Sequence, residues 1–374
     1  MSVRRNLHVL VSLLSTGIAF GQTASPTLRS VYQDHFLIGA ALNSSQVNGE
    51  NPKAAEIAAR QFSSFTAEND MKWIRLHPEP DRYDFKNADA YVEFASRNKM
   101  ELIGHTLVWH SQTPGWVFKG KGGGVAKRAE LLARMKDHID MVAGRYKGKV
   151  RGWDVVNEAI SDGPEGLRDS PWRRIIGDDY IDQAFRFAKA ADPQAELYYN
   201  DYALEDREKR ARTMVMLKGL IKRGVPIDAV GMQCHLGLKS PEIAELDLAI
   251  HDFAALGLKV MITELDVDVL PSKGDIGIAD ISRVEESDPK LDPYTNGLPD
   301  DAQQQLTERY GGLFRLFLRH RKNITRVTFW GLDDGHTWLN NFPIRGRINH
   351  PLLINSALLP KPAFFAVLEV GKKT

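Results

Sequence analysis

Eight short runs rich in β-forming residues recur along the chain, and the stretches between them repeat their apolar residues at helical spacing. The runs fall at 36–43, 63–69, 101–109, 150–158, 195–201, 228–236, 259–266 and 326–334, and six of the eight end in a polar residue. Helical spacing is clear at 126–145, where Leu131, Leu132, Met135, Ile139 and Val142 share a face, and at 305–320 with Leu306, Tyr310, Leu313 and Phe317. Alternation of this kind implies parallel strands, since a strand can rejoin its neighbour in the same direction only through a crossover. Eight repeats fit an α/β fold closed as a single (β/α)8 TIM barrel better than an open doubly wound sheet.

The N-terminus stands apart from this rhythm. In MSVRRNLHVLVSLLSTGIAFGQ, Arg4 and Arg5 precede an apolar stretch that ends in the small residues Ala19 and Gly21, the pattern of a secretory signal peptide spanning 1–21. The stretch is interrupted by Ser12, Ser15, Thr16 and Gly17, too polar for a membrane anchor. Cleavage leaves 22–374 as the working domain, and takes the net charge from +1 to −1 because the leader carries two Arg and no acidic residue. No nucleic acid or anionic membrane partner is indicated by such a balance. Export to the periplasm or the medium is expected, with a monomer as the default state. Cys234 is the single cysteine, so no intramolecular disulfide can form and stability must come from the core. Residues 119–125 read as a plain linker, and 270–304 as a long acidic insertion after the seventh run, where barrel active-site loops lie. No internal repeat and no appended binding module interrupts the pattern.

Function in a barrel gathers at the C-terminal ends of the strands. Those ends carry Glu68 and Asn69, His105 and Trp109, Asn157 and Glu158, Asn200 and Asp201, Gln233 and His235, Glu264 and Asp266, and Trp330. Carboxylates, neutral hydrogen-bonding groups and large aromatic faces dominate, which is the chemistry that sugars require: paired donors and acceptors for hydroxyls, rings for the C–H faces. Two carboxylates also suffice to cleave a glycosidic bond, one protonating the departing oxygen while the other attacks the anomeric carbon. Glu158 and Glu264 end the fourth and seventh runs, which face each other across a barrel mouth.

The motifs WDVVNEA at 153–159 and ITELDV at 262–267 resemble the acid/base and nucleophile segments of glycoside hydrolase family 10, the barrel xylanases. The likeness continues in order through ENDMKW at 68–73, GHTLVWHSQTPGW at 104–116, the segment 168–202, GMQCHL at 231–236, TFWGLDDGHTWL at 328–339 and PLLINSALLPKPAFFAV at 351–367. It implies an endo-1,4-β-xylanase that retains configuration, acting on xylan and xylo-oligosaccharides without metal or cofactor. Glu158 is then the acid/base and Glu264 the nucleophile. Asn157 would hold the sugar 2-hydroxyl, His235 would bond Glu264, Asp266 would orient His235, and Gln233 would lie beside Glu158. His105 and Trp109 would line the −1 sugar, Glu68, Asn69, Lys72 and Gln112 would reach the −2 sugar, and Trp330 and Trp338 would roof both. The chain departs from the family at Ile354 and Asn355, where an acidic residue is common, and at the length of 270–304.

Taken singly, these residues have plainer readings. Glu158 could sit in a structural ion pair, Lys72 could be solvated, and Trp109, Trp330 and Trp338 could be core aromatics. Asn200 and Asp201 read as loop braces and stay outside the catalytic set. His105 and His110 could be metal ligands, but metal-dependent barrel hydrolases usually need a His-x-His pair on the first strand, and FLIGAALN has none. Two further functions compete: a related retaining glycosidase on another β-linked polysaccharide, and an inactive barrel that only binds one.

Overall fold

The computed structural model describes residues 25–271, 284, 286 and 288–373; the leader read at 1–21 and most of the insertion's first half lie outside them. Eight strands form the barrel: β1 Leu37–Leu42, β2 Ser64–Ala67, β3 Glu101–Trp109, β4 Gly152–Asn157, β5 Glu196–Asp201, β6 Ala229–Met232, β7 Lys259–Asp268 and β8 Ile324–Phe329. Each pairs in parallel with the next, and β8 closes on β1 with Gly39 opposite Thr328. The fold is the (β/α)8 barrel that the alternating pattern requires.

The outward faces of the strands pack under a ring of helices. The helix Arg128–Arg145 buries Leu131, Met135, Ile139 and Val142, and the helix Asp300–Arg319 buries Leu306, Tyr310, Leu313 and Phe317, the residues whose spacing marks both helices in the sequence. The second begins earlier than the 305–320 pattern, because Pro299 supplies its N-cap position and Asp300 and Asp301 sit in its first turn, where carboxylates favour the positive end of the helix. The 119–125 linker is closed on itself by a bridge between Lys119 and Val125. N- and C-termini of the domain are joined by Tyr32, whose hydroxyl donates to the Val367 carbonyl at 2.7 Å.

Barrel interiors are usually filled by branched apolar side chains. This one is mixed: Ile103, Tyr198, Ala229 and Met261 form a small apolar cluster, but Arg326 is buried against it with its guanidinium donating to the Thr328 hydroxyl at 2.9 Å, and Asp154 meets His105 at 3.0 Å. Small residues make the wall thin where a ring must pass. At Gly104 on β3, a Cβ would lie 2.1 Å from a carbon of the buried Trp153 indole, so only glycine fits under that ring.

Two backbone turns shape the mouth. Glu158, the first residue after β4, has φ 56, and Cys234 has φ 60, so the extended chain breaks after β6 and resumes as a short strand, His235–Gly237, paired to the upper part of β7. The 228–236 run is therefore two strands. The break turns Gln233 and His235 into the mouth, while Cys234 points into the helix-facing core. At Ile354 and Asn355, where the sequence departs from the family pattern, Asn355 accepts from the amides of Ala357 and Leu359, both at 3.0 Å, and so closes a turn with its own side chain.

Candidate active site

A cavity of about 260 Å³ opens at the C-terminal ends of the strands. Its wall contains Glu68, Asn69, Lys72, His105, Trp109, Gln112, Asn157, Glu158, Gln233, His235, Glu264, Trp330 and Trp338, together with Val284, Asn341 and Phe342. Of the residues expected from sequence, only Asp266 does not line it. Asp266 stands one layer back, where its carboxylate accepts from His235 Nδ1 at 3.0 Å and from the Trp338 indole at 2.8 Å.

The two glutamates live in opposite environments. Glu158 is buried, and its carboxyl accepts from the Trp109 indole at 2.7 Å and the Gln233 amide at 3.0 Å. Burial penalises its charge and the nearby Asp201 repels it, so its pKa is pushed up to about 7. Glu264 is buried too, but His235 Nε2 lies 3.3 Å from one oxygen and the Asn200 amide donates to the other at 2.8 Å. The His235 bond, the His105 and His235 rings and the Asn200 amide together outweigh burial and hold Glu264 below the ordinary glutamate value. His235 in turn is kept cationic: burial disfavours its charge, yet Asp266 and Glu264 raise its pKa to about 10. One carboxyl is thus protonated near neutrality while its neighbour stays ionised, the division of labour that acid-plus-nucleophile chemistry needs.

The far end of the cavity is built by the loop after β2. Lys72 is buried, donates to Asn69 Oδ1 at 2.9 Å, and lies 5.2 Å from the centre of the Trp109 ring. Burial lowers its pKa and raises that of Glu68, each partly offset by the other's charge. Trp330 sits edge-on between His105 and His235, with ring centres 5.3 and 6.5 Å away, and Trp338 stacks on Phe342 at 5.1 Å. Gln112 adopts φ 46 at the rim.

Asn200 is the residue that sequence reading passed over. Its amide spends both donors in the site, on Glu264 and on Asn157 Oδ1 at 2.9 Å, and its own oxygen accepts from the Thr263 hydroxyl at 2.6 Å. The usable signal is register: Asn157 and Asn200 are direct partners across β4 and β5. His110 also comes within 4.0 Å of Glu158. Among the described residues, no group of three His, Cys, Asp or Glu side chains is gathered to hold a metal ion.

A closed (β/α)8 barrel with two carboxyls of opposed protonation in a cleft of aromatic and amide side chains defines a glycoside hydrolase. The chain belongs to glycosyl hydrolase family 10, whose family profile matches residues 27–370. It is 43% identical to the endo-1,4-β-xylanase A of Xylanibacter ruminicola over 368 residues, 98% of this chain and all of that one. Among solved structures, a family 10 endoxylanase from a sugarcane soil metagenome superposes with a TM-score of 0.88 at 43% identity, covering 92% of this chain and 99% of that one. A mutant solved in complex with xylotriose superposes at 0.82 with 39% identity, covering 92% and 100%.

Proposed function

We propose that this chain is an endo-1,4-β-xylanase that cleaves internal bonds of xylan and xylo-oligosaccharides by double displacement, with Glu158 as acid/base and Glu264 as nucleophile. The observation that carries the assignment of roles is the opposed protonation of the two glutamates: Glu158 keeps a proton to about pH 7 and Glu264 does not. In the first step Glu264 bonds to the anomeric carbon as the glycosidic C–O bond breaks, and the Glu158 proton passes to the departing oxygen. In the second, Glu158 takes a proton from water, whose oxygen displaces Glu264, so one water is consumed and configuration is retained. Asn157 and His105 would bind the sugar at −1, Glu68, Asn69, Lys72 and Gln112 the sugar at −2, and Trp330 and Trp338 would cover them. Asn200 and His235 hold the nucleophile, and Asp266 holds His235.

Relatives named as xylanases at about 40% identity support the substrate class, and the xylotriose complex supports a xylo-oligosaccharide in such a cleft. A binding-only barrel would have no use for an acid and a base kept apart in pKa. No helix among the described residues is long and apolar enough to cross a membrane. The sequence pattern at 1–21 supports export and removal of a leader, and a monomer is the default state. The roles are tested with 2,4-dinitrophenyl β-xylobioside. Glu264→Ala should be inactive, whereas Glu158→Ala should give a burst of phenol and slow turnover that azide accelerates, yielding a β-glycosyl azide. Rescue of Glu264→Ala to a β-azide instead would reverse the roles. Reducing-sugar release from xylan, cellulose and mixed-linkage glucan separates the xylanase from a glucanase.

A further inference from the structure

Glu158 occupies the left-handed region, at φ 56, a strained conformation for a non-glycine residue that persists only where its surroundings enforce it. The enforcement is visible. The Glu158 amide donates to the Asn200 carbonyl at 2.8 Å, and its carbonyl accepts from Arg168 Nε at 3.0 Å. Arg168 also donates through Nη2 to the Ile160 carbonyl at 3.0 Å, so one guanidinium spans the turn. The Ala159 and Ile160 amides both donate to the Tyr199 hydroxyl, at 3.1 and 3.2 Å, and the Ile160 amide lies 3.3 Å from Asp201. Asp201, fully buried, accepts the Tyr199 hydroxyl and is neutralised by the buried Lys209 ammonium at 3.0 Å. Neither Arg168 nor Asp201 nor Lys209 lines the cavity that holds the glutamates.

We propose that Arg168, Asp201 and Lys209 are positioning residues for the general acid: Arg168 grips the backbone turn at Glu158–Ile160 directly, Asp201 holds it through the Ile160 amide and the Tyr199 hydroxyl, Lys209 holds Asp201, and together they fix where the Glu158 carboxyl points, without touching substrate. Burying a charge pair away from the reacting atoms is costly unless its hydrogen bonds are fully used. Here they are used: Asp201 accepts from the Tyr199 hydroxyl and from the Tyr202 and Ile160 amides, and Lys209 donates to Asp162 as well as to Asp201, so the pair reaches the turn that carries the acid through Asp201 and Tyr199. A guanidinium clamping two carbonyls is also specific to Arg, because Lys presents a point charge that can serve one of them well.

The inference rests on Glu158 being the acid/base, and the test keeps the two apart. A misaimed acid matters only when the leaving group needs a proton. In Arg168→Met, kcat/KM for phenyl β-xylobioside should fall by about 10- to 100-fold, within the range that general acid catalysis contributes, while that for 2,4-dinitrophenyl β-xylobioside changes by less than about threefold. The ratio of the two substrates is independent of the folded fraction, so partial unfolding does not mimic the effect. Lys209→Met should show the same selectivity, and Arg168→Lys should recover part of it. Equal loss on both substrates in the Arg168 and Lys209 variants would reduce the network to a fold brace and overturn the proposal. If Glu158→Ala itself fails to discriminate between the substrates, the acid/base reading falls with it.

Discussion

Replacing Asp266 with Asn removes one negative charge two bonds' reach behind the nucleophile and should change how Glu264 titrates. In the native site His235 keeps its proton to about pH 10 against an ordinary value of 6.5, although burial alone would strip it. Its folded pKa is raised, so the stability it contributes is complete below pH 6.5 and is lost as the pH rises through about 10. Without the Asp266 charge, burial is opposed chiefly by Glu264, and the imidazole should give up its proton at much lower pH. Glu264 then loses a charge-assisted hydrogen bond, a contact worth roughly 1.5–3 kcal/mol. At 1.36 kcal/mol per unit, the nucleophile's pKa should rise by about one to two units. The assay is kcat/KM against pH with 2,4-dinitrophenyl β-xylobioside, which needs no acid and so exposes the nucleophile's limb alone. The acidic limb, below pH 4.5 in the native enzyme because Glu264 is held under its ordinary value, should move up by that amount. On xylan the alkaline limb should stay near 7, where Glu158 loses its proton. A variant that loses activity uniformly across pH, with its acidic limb unmoved, would refute the coupling from Asp266 through His235 to Glu264.

Three further outcomes follow from particular contacts. Trp338→Ala should lower the overall rate, since the indole also donates to Asp266 at 2.8 Å, yet it should narrow the kcat/KM gap between aryl xylobioside and aryl cellobioside if the ring excludes the larger sugar at −2; an unchanged ratio would relieve Trp338 of that role. Gly104→Ala forces a methyl to within 2.1 Å of the Trp153 ring and should cost about 1–3 kcal/mol, as overpacking of a rigid core does, measured as a shift of the urea midpoint. Lys361→Met leaves the buried Asp334 without the ammonium 2.8 Å away, a change expected to cost about 3–5 kcal/mol; since the Asp334 carboxyl is already raised in pKa by burial and would rise further, the folded state gains a proton, and the deficit should be smaller at pH 5 than at pH 8.

The parts of this molecule that declare themselves in the sequence are those decided within one segment. A strand that buries one face and ends in polar residues can be read from its own residues, and so the eight runs locate the barrel and most of the cavity wall, while Lys72, Gln112 and Trp338 lie between the runs and are named only by the family resemblance. Relations between segments are another matter. Asn200 looks like a loop brace because nothing in YYNDY states that Asn157 lies opposite it on β4 and Glu264 within 2.8 Å on β7; its role exists only in the register of the closed sheet. The turns at Glu158 and Cys234 are hidden for a related reason. Positive φ is ordinarily announced by Gly or Asn, and here a glutamate and a cysteine adopt it because surrounding contacts, such as those from Arg168 and Tyr199 to the 158–160 turn, hold the chain there. Glycine would adopt the turn more easily and could not carry a carboxyl. The strain at Glu158 is therefore a cost of placing an acid at a strand end where the backbone must also turn away, and residues with no place in the cavity are needed to meet it.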